Sequence, residues 1–226
     1  MSAAGATLRV SEIFHSLQGE STRAGLPTVF VRLSGCPLRC VWCDTTYAYG
    51  GGEALSIEAI LEQVAAYRCP TVCVTGGEPL AQAACLPLLT ALCDAGYSVS
   101  LETSGALDIS SVDLRVSRIV DLKAPDSGES AKIRWENLER LRPTDELKFV
   151  LASRADYEWA KAVLAGGHQN SALAGRPLNE LCPVLFSPVW NALPPRLLAE
   201  WILEDRLPVR FQLQLHKLLW GEERGR

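Results

Sequence analysis

Short apolar runs alternate along the chain with longer stretches in which apolar residues recur at helical spacing. Most of the short runs are too apolar for strands with one face in water, which favours strands that are covered on both faces. Strands are predicted over Thr28–Leu33, Thr71–Thr75, Ser98–Glu102, Arg118–Leu122, Glu146–Leu151, Val184–Ser187 and Arg210–Leu215.

Capping residues mark the ends of several predicted helices. Ser56 precedes one apolar repeat as an N-cap, and Gly96 follows another as a helix stop. Helices are predicted over Ser56–Arg68, Leu80–Ala95, Trp135–Leu141, Asp156–Leu164 and Pro195–Asp205, and loops over Tyr47–Glu53, Pro177–Pro183 and Ser187–Pro195. The alternation of strand and helix predicts a mainly parallel α/β sheet, either doubly wound or curled into a barrel.

Composition fits one globular domain, since the chain has 226 residues, of which 48% are hydrophobic and 21% charged. Met1–Val10 lacks the pattern of a secretion signal, and no apolar run reaches the ~20 residues of a membrane span, so we expect a cytoplasmic protein without a membrane partner. Eight cysteines then indicate a reducing compartment without disulfides. A net charge of −4 gives no reason to expect a nucleic-acid partner.

Three of the cysteines, Cys36, Cys40 and Cys43, lie close together without a fourth nearby. A structural zinc site closes with four protein ligands, whereas three thiolates on a [4Fe–4S] cluster leave one iron free. The spacing favours the cluster, with a zinc half-site or a redox pair as alternatives. For the dispersed cysteines we expect simple burial: Cys69, Cys73, Cys85, Cys93 and Cys182.

Polar and glycine residues follow the predicted strands at the points where the strands end. They are Gly76-Gly77-Glu78-Pro79, Glu102-Thr103-Ser104-Gly105, Lys123 and Ser187-Pro188, with Cys36 after the first strand. Each has an ordinary explanation on its own, such as a tight turn or a solvated side chain. The carboxyl ends of parallel strands share one side of a sheet, so we expect these residues to meet at one site.

The cysteine spacing, Trp42 before the third cysteine and Gly76-Gly77-Glu78-Pro79 together resemble the radical S-adenosylmethionine (SAM) enzymes. Other segments resemble the 7-carboxy-7-deazaguanine synthase family within them: Ser16–Glu20, Phe30–Cys36, Trp42–Thr45, Glu102–Gly105, Val120–Lys123 and Leu215–Gly221. The resemblance implies a single radical SAM domain over residues 1–226, folded as an open, partial β/α barrel. It also implies an N-terminal substrate-binding segment and a C-terminal tail that closes the pocket.

The resemblance also implies the site residues and their cofactors. Cys36, Cys40 and Cys43 are expected to bind the [4Fe–4S] cluster, and Thr45 to coordinate Mg²⁺. SAM is expected to contact Gly77, Glu78, Glu102, Ser104, Asp121, Leu122, Lys123, Ser187, Pro188, Val189 and Trp190. The substrate is expected to contact Leu17, Gln18, Gly19, Glu20, Arg32, Thr75 and His216.

The substrate that the family implies is 6-carboxy-5,6,7,8-tetrahydropterin. The product would be 7-carboxy-7-deazaguanine, a precursor of queuosine, formed with ring contraction and loss of ammonia. Arg32 suits the carboxylate because a guanidinium donates two parallel hydrogen bonds. A flavodoxin or ferredoxin is expected as reductant, and a homodimer as the assembly.

The chain departs from the family pattern at Ser21, where a glycine is common, and at Asp121-Leu122, where Ser-Pro is common. A slightly shifted substrate loop and SAM contacts through backbone atoms are expected there. Two alternatives remain open at this point: a glycyl-radical activase and a non-enzymatic iron–sulfur or zinc-binding module.

Overall fold

A computed structural model describes residues 5–168, 172–173 and 175–226; the predicted domain also includes residues 1–4, 169–171 and 174, which lie outside that description. Its strands are β1 (Thr7–Leu17), β2 (Pro27–Leu33), β3 (Glu53–Ser56), β4 (Thr71–Gly76), β5 (Ser98–Thr103), β6 (Ser117–Asp121), β7 (Glu146–Leu151), β8 (Val184–Pro188) and β9 (Arg210–Phe211). Its α-helices are α1 (Ile57–Ala66), α2 (Cys85–Asp94), α3 (Arg154–Leu164), α4 (Pro195–Glu204) and α5 (Leu215–Trp220). Within the described residues no helix is long and apolar enough to cross a membrane.

All the strands form one sheet in the order β3-β1-β2-β4-β5-β6-β7-β8-β9. From β2 to β9 every neighbouring pair is parallel, whereas β1 pairs antiparallel with both β2 and β3. The sheet does not close, so the architecture is the open, partial β/α barrel that was predicted.

Side chains alternate along each strand between the two faces of the sheet. One face, the core face, packs in the hydrophobic core, and the other, the site face, lines a cavity. On β2, Val29, Val31 and Leu33 join the main hydrophobic core, while Phe30 and Arg32 line a cavity. Helices α1 to α4 pack on the core face, against β1, β5, β7 and β8. The same alternation places these inner residues at the cavity: Thr75 of β4, Glu102 of β5, Ile119 and Asp121 of β6, Lys148 and Val150 of β7.

Local sequence signals set the helix boundaries. The Ser56 side chain accepts a hydrogen bond from the Ala59 N–H at 3.2 Å, and Ser153 caps α3 through the Asp156 N–H in the same way, also at 3.2 Å. Helix α1 buries Ile57, Ile60 and Val64, which lie at helical spacing along one stripe.

Strand β3 was not predicted, and four further details of the sequence prediction differ from the structure. Strand β1 was not predicted, because its alternation of exposed and buried residues is interrupted by a register shift between Val10 and Glu12. The predicted strand Arg210–Leu215 pairs only over Arg210–Phe211, since Leu215 already begins α5. Trp135–Arg140 is a 3₁₀ helix, and the predicted helix Leu80–Ala95 begins as α-helix only at Cys85, after a 3₁₀ turn over Pro79–Ala81.

Candidate active site

A cavity of about 540 Å³ opens where the carboxyl ends of the parallel strands meet. It lies in the place where enzymes with parallel sheets build their sites, and the predicted convergence of the loops is observed. Most of the predicted site residues line it: Leu17, Gln18, Gly19, Glu20, Arg32, Cys36, Cys40, Cys43, Thr45, Thr75, Gly77, Glu102, Ser104, Asp121, Lys123, Val189, Trp190 and His216.

Four predicted SAM contacts lie outside the cavity wall: Glu78, Leu122, Ser187 and Pro188. Leu122 belongs to the hydrophobic core, and the buried Ser187 hydroxyl has no hydrogen-bond partner among the described residues. Pro188 is the last residue of β8 and is buried. These residues form the layer behind the cavity wall.

The carboxylate of Glu78 is fully buried and joins the ends of β4 and β5. It accepts hydrogen bonds from the Thr103 hydroxyl at 2.9 Å, from the Ser104 N–H at 2.7 Å and from the Leu80 N–H at 3.1 Å. Its own N–H donates to the Gly35 carbonyl at 2.8 Å. Glu78 therefore fixes the two loops that border the cavity, and its side chain does not face the ligand space.

The cysteine loop, residues 34–45, is held from two sides. The Arg39 N–H donates to Glu129 Oε1 at 2.7 Å, and the Val41 N–H donates to the Ser127 carbonyl at 3.1 Å. On the other side the Glu78 N–H donates to the Gly35 carbonyl at 2.8 Å. A Cβ on Gly77 would stand 2.8 Å from the Cys36 Cβ, so a glycine is required for this close approach.

The chemistry of the three thiols suits a [4Fe–4S] cluster. Cys36, Cys40 and Cys43 are free, partly exposed and line the same cavity. Cys36 Sγ accepts a hydrogen bond from the Leu38 N–H at 3.4 Å, the kind of bond that tunes cluster thiolates. Among the described residues no three His, Cys, Asp or Glu side chains converge on a single-ion site. In such a cluster each thiolate binds a different iron atom. The three thiols therefore need to face the same cavity but need not converge on a single point.

Arg32 projects into the cavity beside Glu12, a residue of the unpredicted strand β1. Its Nε donates to Glu12 Oε1 at 2.7 Å, and the Tyr47 hydroxyl donates to the same oxygen, also at 2.7 Å. Burial lowers the pKa of Arg32, but the neighbouring Tyr47 and Glu12 outweigh it, so the pKa is raised. Within the described chain the hydrogen bonds of Arg32 use only its Nε edge. The Nη edge remains available to a ligand.

Glu102 lies on β5 and lines the cavity. One carboxylate oxygen accepts from Gln18 Nε2 at 3.2 Å, and the other accepts from the Thr75 hydroxyl at 2.8 Å. Both donors are residues that the sequence predicts to contact substrate. Glu102 therefore shares their side of the cavity.

A second charged network runs from Glu20 to Lys123. Lys148 Nζ lies 2.5 Å from Glu20 Oε2 and 3.5 Å from Asp121 Oδ2, and Lys123 Nζ donates to the same Asp121 oxygen at 2.8 Å. Asp121 Oδ1 is buried and has no hydrogen-bond partner among the described residues. The hydrogen bonds within the described chain therefore leave one carboxylate oxygen of Asp121 without a donor.

Burial alone would raise the pKa of Glu20, but the Lys148 ammonium and then His216 outweigh it and lower the pKa to about 2. For Lys148 burial acts in the opposite sense, and the carboxylates of Glu20, Asp121 and Glu102 raise its pKa well above the usual value. Both groups are charged at neutral pH.

The C-terminal segment, residues 212–226, covers one side of the cavity. His216 packs so tightly against Gly19 that a Cβ on Gly19 would overlap its ring. The Leu215 N–H donates to the Gly19 carbonyl at 2.9 Å. Thr45 lies at the rim, with its hydroxyl 3.8 Å from Cys43 Sγ, and the adjacent Asp44 carboxylate is 4.0 Å from Lys217 Nζ.

Sequence reasoning missed Glu12, Lys148 and Gln214, all of which line the cavity or contact residues that do. A signal for Lys148 was available, because it is a charge within the apolar strand β7, the same feature that singled out Arg32. Glu12 could not be found without β1. Gln214 follows a strand that ends earlier than predicted.

Comparison with known proteins agrees with this geometry. Residues 30–124 match the family model of the radical SAM superfamily. The chain is 48% identical to a 7-carboxy-7-deazaguanine synthase of Chlorobaculum tepidum, with 96% of each chain covered. It is 41% identical to one of Koribacter versatilis, covering 96% of this chain and 98% of that one.

Two solved structures have a similar fold. The crystal structure of QueE from Escherichia coli superposes with a TM-score of 0.75 at 25% identity, over 93% of this chain and 95% of that one. SuiB of Streptococcus suis bound to S-adenosylmethionine, at 13% identity and a TM-score of 0.52 over 79% of this chain and 44% of that one, shares the fold alone. The chain belongs to the 7-carboxy-7-deazaguanine synthase family of radical SAM enzymes.

Proposed function

We propose that this enzyme converts 6-carboxy-5,6,7,8-tetrahydropterin to 7-carboxy-7-deazaguanine, with ring contraction and loss of ammonia. The observation that carries the proposal is the near full-length relation to synthases of that name. As in other radical SAM enzymes, the cofactors are a [4Fe–4S] cluster and SAM. When bound, they supply one-electron cleavage of SAM to a carbon radical that can abstract hydrogen from the substrate.

Arg32 binds the substrate carboxylate in this proposal. Its Nε donates to Glu12, Arg32 lines the cavity, and its Nη atoms have no hydrogen bond within the described chain. Charge-assisted hydrogen bonds of this type are about twice as strong as neutral ones. Arg32 lies four residues before Cys36, so the bound carboxylate is held close to the cluster loop.

Glu102 recognises the heterocycle of the substrate instead of SAM. Its two oxygens already accept from Gln18 and Thr75, residues on the substrate side of the cavity. A carboxylate retains further lone pairs after two such bonds, and these suit the N–H donors on the edge of a pterin ring. Gly19 and His216 close the same side and limit the access of water.

SAM occupies the side of the cavity formed by Gly77, Ser104, Asp121 and Lys123, with Val189 and Trp190 beyond them. The unpartnered Asp121 Oδ1 is the acceptor on this side, and Lys123 next to it carries a positive charge. Cys36, Cys40 and Cys43 hold the cluster. The residues of the chain thus bind, orient and enclose the two reactants.

Thr45 would hold Mg²⁺ through its hydroxyl, and the ion would orient the substrate. Magnesium prefers oxygen ligands and usually retains several waters, so one hydroxyl from the protein is sufficient. Asp44 adds negative charge at the same rim. The resemblance to the family supports this assignment, and it also supports a homodimer and a flavodoxin or ferredoxin as electron donor.

The test is anaerobic reconstitution with iron and sulfide, followed by incubation with SAM, reductant, Mg²⁺ and the pterin. Mass spectrometry is expected to detect 7-carboxy-7-deazaguanine, and the Cys36→Ala variant is expected to form none because it lacks a cluster ligand. Cleavage of SAM without conversion of the pterin would reject the proposed substrate. The glycyl-radical activase alternative requires a protein substrate, so turnover of the pterin alone excludes it.

A further inference from the structure

Glu20 is buried where three distant parts of the chain meet. It belongs to the β1–β2 loop, residues 18–26, and its Oε2 lies 2.5 Å from Lys148 Nζ on β7. Its Oε1 accepts from Gln214 Nε2 at 2.9 Å, directly before α5. One carboxylate thus joins the loop to the sheet and to the C-terminal segment.

Further bonds join the β1–β2 loop to the same C-terminal segment. The Leu215 N–H donates to the Gly19 carbonyl at 2.9 Å. The Ser21 N–H donates to Gln212 Oε1 at 2.8 Å, and Gln212 Nε2 donates back to the Ser21 carbonyl at 2.7 Å. These bonds position the C-terminal segment only as long as the loop itself is fixed.

Lys148 and Glu146 both hold the loop to β7, and Lys148 is the one that contacts the partner of Gln214. Its side chain is 11% exposed and that of Glu20 is 9%, so water screens the pair little. Removing one partner of such a pair leaves an uncompensated buried charge, which the structure relieves by moving. The β1–β2 loop is also bonded to β7 through Thr22, whose N–H donates to Glu146 Oε2 at 2.9 Å, but this contact lies beyond Ser21 and does not reach Gln214.

Glu20 is buried, whereas Glu102 is partly exposed, and both oxygens of Glu20 are engaged by protein groups, which argues against a main role in contacting substrate. We propose that Lys148 is a positioning residue for the substrate: through Glu20 and Gln214 it holds the start of α5 against the β1–β2 loop and so places His216 at the cavity. The identity of the substrate rests on the proposed function, whereas the positioning itself does not.

Two other roles for Lys148 would give different results. If Lys148 contacted the substrate directly, its replacement would not alter hydrogen exchange in the C-terminal segment. If Lys148 acted through Asp121, which lies 3.5 Å away, its replacement would change the affinity for SAM. Lys123 shares Asp121 but does not contact Glu20, so Lys123→Met is the matched control for that route.

The primary experiment is hydrogen–deuterium exchange on the reconstituted enzyme without substrate, followed over peptides that span residues 212–220. Lys148→Met is expected to accelerate exchange there by about tenfold or more, because the Leu215 N–H loses its fixed acceptor. Lys148→Arg retains the charge and is expected to stay closer to the wild type. Lys123→Met is expected to leave exchange in this segment unchanged.

The second readout is the kinetics of the same variants. Lys148→Met is expected to raise the KM for the pterin by about tenfold, while the Kd for SAM changes less than about twofold. A higher KM with unchanged exchange would overturn the proposal in favour of direct contact. Faster exchange with an unchanged KM, or a weakened SAM affinity alone, would also overturn it.

A double variant tests the proposal in case Lys148→Met alone does not fold. Lys148→Met combined with Glu20→Gln removes both charges of the pair, so no unpaired charge is left buried. It is expected to fold and still to show faster exchange over residues 212–220. Unchanged exchange in the folded double variant would reject the positioning role, even if the pterin proves not to be the substrate.

Discussion

At the scale of single residues, Arg32 and Glu12 show how a partly buried charge is held in place. Glu12 takes one edge of the guanidinium and is itself held by the Tyr47 hydroxyl. The guanidinium also lies 5.7 Å from the centre of the Phe14 ring. These contacts restrict the orientation of Arg32 before any ligand binds, which lowers the entropy cost of binding.

We predict that Arg32→Ala raises the KM for the pterin by about 10- to 100-fold, since hydrogen bonds to charged groups contribute roughly 1.5–3 kcal/mol. Arg32→Lys is expected to recover little, because an ammonium does not reproduce the planar pair of donors. Steady-state kinetics measures both variants. Formation of 5′-deoxyadenosine without substrate serves as the control. A normal KM for Arg32→Ala would show that Arg32 does not bind the substrate carboxylate.

Gly77 supports a second prediction at this scale. Gly77→Ala places a Cβ against the Gly35 carbonyl and the Cys36 Cβ, an overlap that costs about 1–3 kcal/mol of strain in the cysteine loop. We expect less iron to be bound per chain after reconstitution, measured by iron analysis. Gly50→Ala is the matched control in the same region, because nothing lies within 4 Å of its added Cβ.

The sequence revealed the cysteines and Arg32 because their chemistry is unusual for their setting. Glu12, Lys148 and Gln214 are ordinary polar residues whose importance depends on partners far away in the chain. Glu20 and Lys148, for example, are 128 residues apart. Pairings of this length follow from the sheet topology, which local patterns do not specify.

At the scale of elements, the apolar strands β2, β4, β5, β6, β7 and β8 were predicted within a residue or two because they are covered on both faces. Strand β1 escaped prediction because it alternates exposed and buried positions around an irregular register. The 3₁₀ helix over Trp135–Arg140 has the apolar spacing of an α-helix but is too short to be distinguished by pattern.

Glu78 joins two elements, and we predict a large effect on stability from its removal. Glu78→Ala leaves the Thr103 hydroxyl and the N–H groups of Ser104 and Leu80 buried without their acceptor. Buried unsatisfied groups cost about 1–3 kcal/mol each, so the free energy of unfolding is expected to fall by at least about 3 kcal/mol.

Chemical denaturation measures this change, with Glu204→Ala as the control. Glu204 is exposed at the end of α4, and its removal is expected to alter stability by less than about 0.5 kcal/mol. Similar small effects for both substitutions would show that Glu78 does not hold the β4 and β5 loops together.

At the scale of the whole molecule, the β1–β2 loop joins strands that are far apart in the sheet order. It starts beside β2 and reaches β7, where Thr22 contacts Glu146 and Glu20 contacts Lys148. The loop is thus closed against β7, an interior strand of the sheet, by side-chain bonds and not by strand pairing. The cavity depends on these bonds for one of its walls.

The ionisation of Glu20 gives this closure a pH dependence. The pKa of Glu20 is about 2 in the folded protein against 4.5 ordinarily, so its carboxylate stabilises the fold fully above the ordinary value. That contribution is lost as the pH falls through the folded pKa. We predict that the difference in unfolding free energy between the wild type and Glu20→Gln shrinks between about pH 6 and about pH 3.

Denaturant titrations at each pH measure this difference. Glu204→Gln is the control, because its carboxylate is exposed at the end of α4. A difference for Glu20→Gln that stays constant over this range would mean that the carboxylate is not stabilised by Lys148 in the folded state.

Strand β2 carries Arg32 and leads directly into Cys36, with Arg32 opposite Glu12 on one side and Thr75 on the other. In the proposed function this strand therefore sets the distance between the bound carboxylate and the cluster. A shift of one residue in its pairing would turn Arg32 into the core, so its length and register cannot be varied. Laboratory selection for enlarged or altered pterins should keep this strand intact and diversify the C-terminal segment, which borders the same ligand without setting that distance.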